Sequence, residues 1–522
     1  MNKYQIINDN NRKWWILSAL SFMVLMFNID ITALNIALPA IARDFQASMS
    51  SLQWVLNSYI LATAMFTMVG GKLGDMFGHR KIFVFGVIIF ALASLLCGIS
   101  INEKLLIANR AFQGIGGALA FPMIGVIVFA AFPPKQKGLA MGIFGGTAGL
   151  TQSIGPTLGG TIVKYLGWHW IFFVNVPISV ICIFLTIISC PKYIIATHKE
   201  KIDYKGIVLL SLGLFLLTYA INEVQNWGFT SSLFLAFLFG SICFLAVFTY
   251  FAKRTSSALV DIKLFTNKNF LAINFLRFVS IFGFNVVFFI FVLCLQNILL
   301  YDPIKTGLLM LFMTGVFGFL APIGGRIVDK FGPRGPLMLA FASLGISFIL
   351  FSAIRYNQNL VLLVIALFLL GFSVGIIFPA SNISVLNVVS DKQRGSANGI
   401  YTTLTMLSSA FGIAVSGGLV VILSNNYLIK QLIAHHFNFD IVKMNLLQQI
   451  SRGIYSIDKI NANFSFNAIG DLIRIAREAF LYSFYYVMLL CALLSFTGFM
   501  VLFYMKNGFR CLNKENKGDF GI

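Results

Sequence analysis

The amino-acid sequence predicts an all-α integral membrane protein with fourteen transmembrane helices. Three observations support this prediction: an apolar composition, a series of long apolar segments, and positive charges that are concentrated in alternate connections. Of the 522 residues, 58% are hydrophobic and 11% are charged, and the mean hydropathy is +0.87. Soluble globular chains are about 45–50% apolar and about 25% charged, so most of this surface requires lipid as its solvent.

Apolar segments of membrane-spanning length recur along nearly the whole chain. A bilayer core of about 30 Å needs about 20 apolar residues in a helix, since only helices and closed barrels satisfy every backbone polar group in lipid. We predict spans at 14–38, 51–71, 82–101, 105–130, 138–163, 169–190, 206–222, 231–251, 269–297, 306–325, 336–354, 359–388, 396–423 and 481–505.

Positive charges between the spans predict the orientation. With the N-terminus inside, the inside segments hold 25 of the 38 Lys and Arg residues, and the short outside loops hold five: Arg43, Lys104, Lys164, Lys305 and Arg355. Short loops rich in Lys and Arg stay in the cytoplasm, so both termini are predicted to be cytoplasmic. The formal net charge of +20 therefore reflects topology and does not indicate a nucleic-acid partner.

The sequence gives no support for an enzyme, a metal site or a cofactor. None of the seven Cys residues forms a CxxC pair, and no Walker A or HExxH pattern occurs, which argues against disulfides, ATP-driven transport and zinc hydrolysis. Gly371-Phe-Ser373-Val-Gly375 matches GxSxG, but it lies inside a predicted span with no strand before it, so we interpret it as chance.

An internal repeat divides the chain into two halves. GGKLGDMFGHR at 70–80 and GGRIVDKFGPR at 324–334 match at an offset of 254 positions, and a second match between the fourth and twelfth spans has an offset of 257. Parallel six-span halves are a known transporter architecture with the substrate site between them. We predict six-helix bundles at 1–190 and 265–505, two extra helices with flanking loops at 191–264, a long extracytoplasmic loop at 424–480 with an interfacial helix at 467–479, and a cytoplasmic tail at 506–522.

Five motifs carry a family resemblance. They are Asp30-Ile-Thr-Ala-Leu-Asn35-Ile-Ala-Leu-Pro39, the GxLaDrxGrkxxxl loop from Gly71 to Phe85, Arg110-Ala-Phe-Gln113-Gly114-Ile-Gly116-Gly117, Gly155-Pro156-Thr-Leu-Gly159-Gly160, and Trp168-His169-Trp170-Ile-Phe-Phe-Val-Asn175-Val-Pro177. Along nearly its whole length the chain resembles the major facilitator superfamily, and in particular its fourteen-span drug/proton antiporters of the EmrB/QacA type.

This resemblance implies the major facilitator fold and a proton-coupled antiporter that exports drug-like or amphipathic molecules across a bacterial inner membrane. A dedicated metabolite or siderophore exporter is the alternative within transport, and a membrane sensor without flux is the alternative of another class. The expected partners are a small-molecule substrate, protons and the lipid bilayer, and a periplasmic adaptor protein is left open.

Charged residues deep in the predicted spans are rare, and each is a functional candidate because it costs several kcal/mol in lipid. Asp30 is the only deep carboxylate, and Arg110 and Arg277 are the only deep cations. At 1.5 Å per residue, Asp30 and Arg110 both lie roughly 9–14 Å below the outer face, so we predict that they pair. The pair is either a static ion pair or, as the resemblance implies, a proton carrier with its coupling arginine. Burial favours the protonated form of a carboxyl group, whereas a nearby arginine favours the ionised form, so a conformational change that alters either effect would move a proton.

The repeated loop is the predicted gate on the cytoplasmic side. Its glycines allow a tight turn and close helix contact, and its charges can bridge to the dipoles of neighbouring helix ends. By resemblance, this loop latches the cytoplasmic side shut in one conformation, whereas plain topology is the alternative. The gating candidates are Gly71, Asp75, Gly78 and Arg80 in the first copy and Asp329 and Arg334 in the second.

The fifth span carries Gly155, Pro156, Gly159 and Gly160, the motif associated with antiporters. Small residues allow close contact between helices, and a proline interrupts one helical hydrogen bond and can kink the span. Such a seam suits a rocking interface, and ordinary membrane packing is the alternative.

Asn35, Gln113 and Arg277 are candidates for the substrate cavity. Arg277 lies roughly 12 Å from the cytoplasmic side, where it either snorkels to the surface or faces the cavity and favours anionic cargo. Because the predicted tenth and thirteenth spans carry no acidic residue, dications are expected to be poor cargo.

Overall fold

The computed structural model describes residues 7–8, 11–46, 49–191, 203–255, 258–301, 303–355, 359–434 and 469–504. Within them the chain forms fifteen α-helices: Arg12–Phe45 (α1), Met49–Phe77 (α2), His79–Gly98 (α3), Glu103–Ala131 (α4), Lys137–Leu166 (α5), His169–Phe173 (α6), Asn175–Ser189 (α7), Tyr204–Trp227 (α8), Ser232–Ala252 (α9), Lys268–Val286 (α10), Pro303–Phe331 (α11), Arg334–Ser352 (α12), Leu360–Asn387 (α13), Arg394–Ala434 (α14) and Ile469–Tyr504 (α15). Two π-helical segments, Val287–Phe291 and Cys294–Ile298, continue α10.

Thirteen segments in the described ranges are long and apolar enough to cross a membrane. Each corresponds to one predicted span, with α6 and α7 together forming the sixth. The remaining predicted span is α5, a 30-residue helix whose many Gly and Thr residues make it less hydropathic. The predicted all-α membrane fold is confirmed, and with α5 the described ranges hold a helix at each of the fourteen predicted spans.

Local sequence explains where several helices begin. The side chains of Asn102, Asp203 and Asn359 precede α4, α8 and α13 and accept hydrogen bonds from backbone N–H groups of the first helical turn, at 2.8, 2.8 and 2.9 Å. These first-turn amides have no partner inside the helix, and Asn and Asp are among the residues best suited to accept from them.

The helices pack as two bundles that meet along two seams. Helices α1–α7 form the N-terminal bundle and α10–α15 the C-terminal bundle, and the bundles are in contact mainly through α2 with α14 and α5 with α11. Helix α8 packs against α2 and α14, so the extra pair covers one of the two seams. Helix α9 packs mainly on α8, and only 11% of its most apolar 18-residue stretch is buried inside the protein.

One end of the bundles carries the turns at Gly78 and Gly332, together with Lys135 and Lys392, and we call it the basic end. The start of α1 also lies there, because Lys13 Nζ donates to Gln136 Oε1 at 2.7 Å.

Both ends of the predicted loop 424–480 are helical. Helix α14 continues to Ala434, and residues 469–479 are the first part of α15, so they are not a separate interfacial helix. Ala476 and Ala479 are fully buried, and α15 packs along α12 and α14. Tyr427 stacks on Tyr482 with ring centres 4.7 Å apart, which joins the two extensions. Residues 435–468 and the predicted tail 506–522 lie outside the described residues.

Candidate functional site

Asp30 and Arg110 form an ion pair inside the N-terminal bundle. Arg110 Nη1 donates to Asp30 Oδ2, and the exposed fractions of the two side chains are 1% for Arg110 and 0% for Asp30. Arg110 Nε donates to the Val55 carbonyl at 3.2 Å, and the guanidinium carbon lies 4.2 Å from the Tyr59 ring centre. The structure thus brings together the two residues whose depths coincide in the sequence, and α2 adds a carbonyl and a ring to the pair.

Amide side chains complete the hydrogen bonding of Asp30. Gln113 Nε2 donates to Asp30 Oδ1 at 3.1 Å while its Oε1 accepts from Arg110 Nη1 at 2.7 Å. Asn175 Nδ2 donates to Asp30 Oδ1 at 3.5 Å and to Ser94 Oγ at 3.1 Å. We define these residues, Asp30, Arg110, Gln113, Asn175 and Ser94, as the Asp30 cluster. Its residues belong to α1, α3, α4 and α7, so a change in the charge of Asp30 alters contacts among four helices.

Sequence reasoning placed only part of this cluster. Gln113 was predicted for the substrate cavity, but the structure places it against Asp30; its i,i+3 spacing from Arg110 was the available signal, since such residues share a helix face. Asn175 belongs to one of the five family motifs and Ser94 belongs to none of them, and the sequence predicts no role for either residue. Asn35 is exposed and donates to the Ile31 carbonyl of its own helix at 2.9 Å, apart from the cluster.

Two carboxylates bridge the bundles at the basic end in a reciprocal way. Asp75, at the end of α2, accepts from Gly395 N, Ser396 N and Ser396 Oγ at the start of α14, each at 2.7 Å. Asp329, at the end of α11, accepts from Gly138 N at 2.6 Å and from the next amide, Leu139 N, at 2.9 Å at the start of α5. Each half therefore caps a helix of the other half with the same repeated aspartate, and the positive end of each helix dipole faces a negative charge.

Glycine pairs allow the backbones to touch beside each cap. A Cβ atom built on Gly71 would overlap the carbonyl oxygen of Gly395, and one built on Gly138 would overlap that of Gly325. Only glycine fits such backbone contacts between helices. The bundles are thus closed against each other at the basic end.

Arg80 and Arg334 hold helix ends within their own bundles. Arg80 Nη2 donates to the Ile187 carbonyl near the end of α7 at 2.9 Å, and Arg334 Nη2 donates to the Phe503 carbonyl near the end of α15 at 3.2 Å. Both caps suit the negative end of a helix. Gly78 adopts φ +100°, which is why a glycine stands between α2 and α3.

The glycine series on α5 has two different neighbours. Toward the basic end, Gly142 and Gly146 lie against α11 of the other bundle. Further along, a Cβ on Gly155 would overlap Thr32, and one on Gly159 would lie 2.6 Å from Ala33 Cα, so this part packs on α1 of its own bundle. Gly160 is less constrained, with Ile36 the nearest side chain at 3.8 Å. Helix α5 runs through position 156 without interruption. It therefore links the neighbourhood of Asp30 to the contact between the bundles.

Arg277 is buried inside the C-terminal bundle, with 4% of its surface exposed. Its guanidinium lies among Thr405, Phe378 and Tyr401 and does not reach the basic surface.

Comparison with known families decides the classification. The sequence profile of the Major Facilitator Superfamily matches residues 20–260 and 273–429. The chain belongs to the major facilitator superfamily. Members of this superfamily are transporters of small molecules, so at the level of the family this protein is a multi-pass membrane transporter and not an enzyme.

Similar major facilitator proteins include drug exporters. The chain is 32% identical to the riboflavin transporter RibZ of Clostridioides difficile over 406 residues, which cover 77% of this chain and 87% of that protein. It is 30% identical to the tetracenomycin C resistance and export protein of Streptomyces glaucescens over 409 residues, 78% of this chain and 76% of that protein. It is 29% identical to the putative multidrug resistance protein MdtD of Salmonella typhimurium over 430 residues, 82% of this chain and 90% of that protein. The predicted resemblance to major facilitator drug-efflux proteins is confirmed.

Solved major facilitator structures share the fold. The human organic anion transporter MFSD10 (TETRAN) superposes with a TM-score of 0.59 at 14% identity, covering 94% of this chain and 100% of that chain. The proton:xylose symporter XylE superposes with a TM-score of 0.59 at 13% identity, covering 94% and 96%. At these identities the likeness establishes the fold alone.

Proposed function

We propose that this major facilitator protein is a proton-coupled antiporter that exports drug-like or amphipathic small molecules across the bacterial cytoplasmic membrane. The basic end, with both termini, then lies in the cytoplasm, in line with the positive-inside rule. The buried Asp30–Arg110 pair is the observation that carries the proposal, because a proton taken up by Asp30 would remove the charge of a fully buried carboxylate that bonds Arg110, Gln113 and Asn175.

Protonation of Asp30 would change the packing of α1 and α4. The neutral carboxyl no longer balances the charge of Arg110, and an uncompensated buried charge is strongly unfavourable, typically by about 3–5 kcal/mol. Arg110 is then driven to a new partner, such as water or the cargo. Since α1 packs on Gly155 and Gly159 of α5, a shift of α1 is transmitted to the helix that also contacts α11 of the other bundle.

The caps at Asp75 and Asp329 set the free energy of opening at the basic end. Opening breaks five hydrogen bonds to ionised carboxylates, and water replaces them only partly. Each such bond contributes about 1.5–3 kcal/mol in mutational studies. The conformation with the basic end closed is thus favoured until a change at the Asp30 cluster offsets these contacts.

A transporter dedicated to one metabolite is the second candidate. It is supported by the similarity to a protein named for riboflavin transport, whereas the similarity to tetracenomycin C and multidrug resistance proteins supports drug export. Proton-coupled transport depends on Asp30 in both candidate functions. The range of compounds that the protein exports therefore distinguishes the two candidates, and a test of proton coupling does not.

The test is export into inside-out vesicles or proteoliposomes with an imposed pH gradient, over a panel of chemically varied compounds. We expect the wild type to concentrate at least one compound against its gradient and Asp30→Asn to lose this uphill transport. Asp44→Asn is the matched control, since it changes an exposed aspartate of the same helix that bonds only Trp168 in the described structure. Uphill transport by Asp30→Asn at the wild-type rate would refute the proton-carrier role.

A further inference from the structure

Arg277 on α10 is a buried cation without an anionic partner in the described part of the chain. Its Nε donates to Thr405 Oγ1 at 3.4 Å, and its Nη1 has no hydrogen-bond partner among the described residues. Arg110, the other buried arginine in these ranges, is bonded to Asp30, Gln113 and a backbone carbonyl. One buried guanidinium is therefore neutralised, and the other keeps its charge and a free donor.

Ring contacts only partly compensate this charge. The guanidinium carbon of Arg277 lies 4.6 Å from the ring centre of Phe378 and 5.4 Å from that of Tyr401. A cation–π contact contributes about 0.5–2 kcal/mol, whereas an uncompensated buried charge costs several kcal/mol. The difference is free energy that an anionic ligand can recover by pairing with Arg277.

The position of Phe378 connects this cation to the contact between the bundles. The Phe378 ring also meets Phe144 of α5, with ring centres 5.3 Å apart and planes at 64°. It also fills the space that a side chain at position 145 would occupy. Arg277 therefore contacts a ring that belongs to the closed seam, and we expect separation of the bundles at the basic end to expose this ring and the guanidinium beside it.

Polar groups surround the same place. The Tyr401 hydroxyl bonds Ser381 Oγ at 2.8 Å and Asn382 Nδ2 at 3.2 Å, both on α13. Asn274 lies three residues before Arg277 on α10, on the same face of the helix, and its buried Oδ1 is also without a partner in the described residues. Two flat rings next to a free guanidinium suit a molecule that has an aromatic ring and an acidic group.

We infer that Arg277, with Thr405, Phe378 and Tyr401, is a binding site for the carboxylate of aromatic cargo, presented to the cytoplasm when the bundles separate at the basic end. The planar fork of a guanidinium matches a carboxylate better than any other common charged group. This inference rests on the proposed function, because it assigns the chemical class of cargo that the exporter takes up.

The experiment compares matched pairs of ligands at equilibrium. Binding of naphthalene-1-carboxylate, anthracene-9-carboxylate and pyrene-1-carboxylate, and of the three corresponding neutral carboxamides, is titrated on purified protein in nanodiscs. The proteins are the wild type, Arg277→Gln, Arg277→Lys and Arg254→Gln. The last is the matched control, since Arg254 is exposed at the end of α9 and stacks only on Tyr250 among the described rings.

We expect the wild type and Arg254→Gln to bind at least one carboxylate about 10-fold or more tightly than its carboxamide, a difference of about 1.4 kcal/mol. Arg277→Gln should abolish this preference and leave carboxamide binding within about twofold, and Arg277→Lys should retain part of it, because charge remains but the fork is lost.

Three outcomes would overturn the inference: no preference for any carboxylate in the wild type, no binding of any pair, or an equal loss of both members of a pair in Arg277→Gln, which would assign the residue to structure. If Arg277→Gln does not fold, the comparison of Arg277→Lys with the wild type decides, and an unchanged preference would refute the role of the fork. Equilibrium binding needs no proton gradient, so a failure of proton coupling and a failure of this site give different results.

Discussion

Replacing Asp75 by Asn tests how strongly the reciprocal caps hold the basic end closed. The carboxylate accepts three hydrogen bonds from the start of α14, and the amide keeps only one acceptor atom. Its NH2 group faces a backbone N–H, so at least one bond to a charged acceptor is lost, about 1.5–3 kcal/mol. Loss of the interaction with the helix dipole adds up to about 2 kcal/mol in a partly buried geometry. A total near 3 kcal/mol shifts the equilibrium toward the open basic end by about 100-fold.

The assay is the distance between spin labels at Lys135→Cys and Lys392→Cys, in a chain whose native cysteines are replaced. Both sites are exposed at the basic end, one in each bundle. We expect a single short-distance population in the parent and a second, longer one in Asp75→Asn, with a lower transport rate. Asp44→Asn should match the parent. An unchanged distance distribution in a folded Asp75→Asn protein would refute the assignment of the cap as a latch.

Two further predictions concern glycines, each compared with a second glycine as a matched control. Gly138→Ala should force the bundles apart at the basic end, because its Cβ would overlap a backbone carbonyl of α11. Gly315→Ala on α11 should be neutral, because its Cβ would meet open space. The distance between the spin labels at positions 135 and 392 measures both effects. Gly155→Ala should disturb the contact with Thr32 on α1 and lower the amount of cargo moved per proton, which parallel measurements of proton and cargo flux report. Gly160→Ala should leave this ratio unchanged, because its added Cβ would lie 3.8 Å from the nearest side chain, Ile36. Equal behaviour of either glycine variant and its control would contradict the corresponding prediction.

Depth along a helix could be predicted, but the partner of a side chain across the bundle could not. The rise of 1.5 Å per residue places Asp30 and Arg110 at one level from the printed sequence, and the structure brings them together. The same arithmetic is silent on which face a side chain occupies, so Gln113 was assigned to the cavity although it bonds Asp30. For Arg277 it left open whether the side chain snorkels to the surface or faces the cavity, and the packing of α10 against α13 and α14 buries the guanidinium.

The sequence by itself determined the membrane class, the spans and the division into two halves. These depend on local quantities, namely apolar length, composition and the charges of short loops. The repeated GGxxxDxFGxR segment also marked both loops whose aspartates cap a helix of the other bundle. Only the tertiary structure decided that the aspartate of each copy reaches the opposite bundle while the arginine stays in its own. This difference between the aspartates and the arginines depends on how the two bundles dock, through contacts between residues that are hundreds of positions apart in the chain. No local pattern encodes the partner of a charge at a helix end.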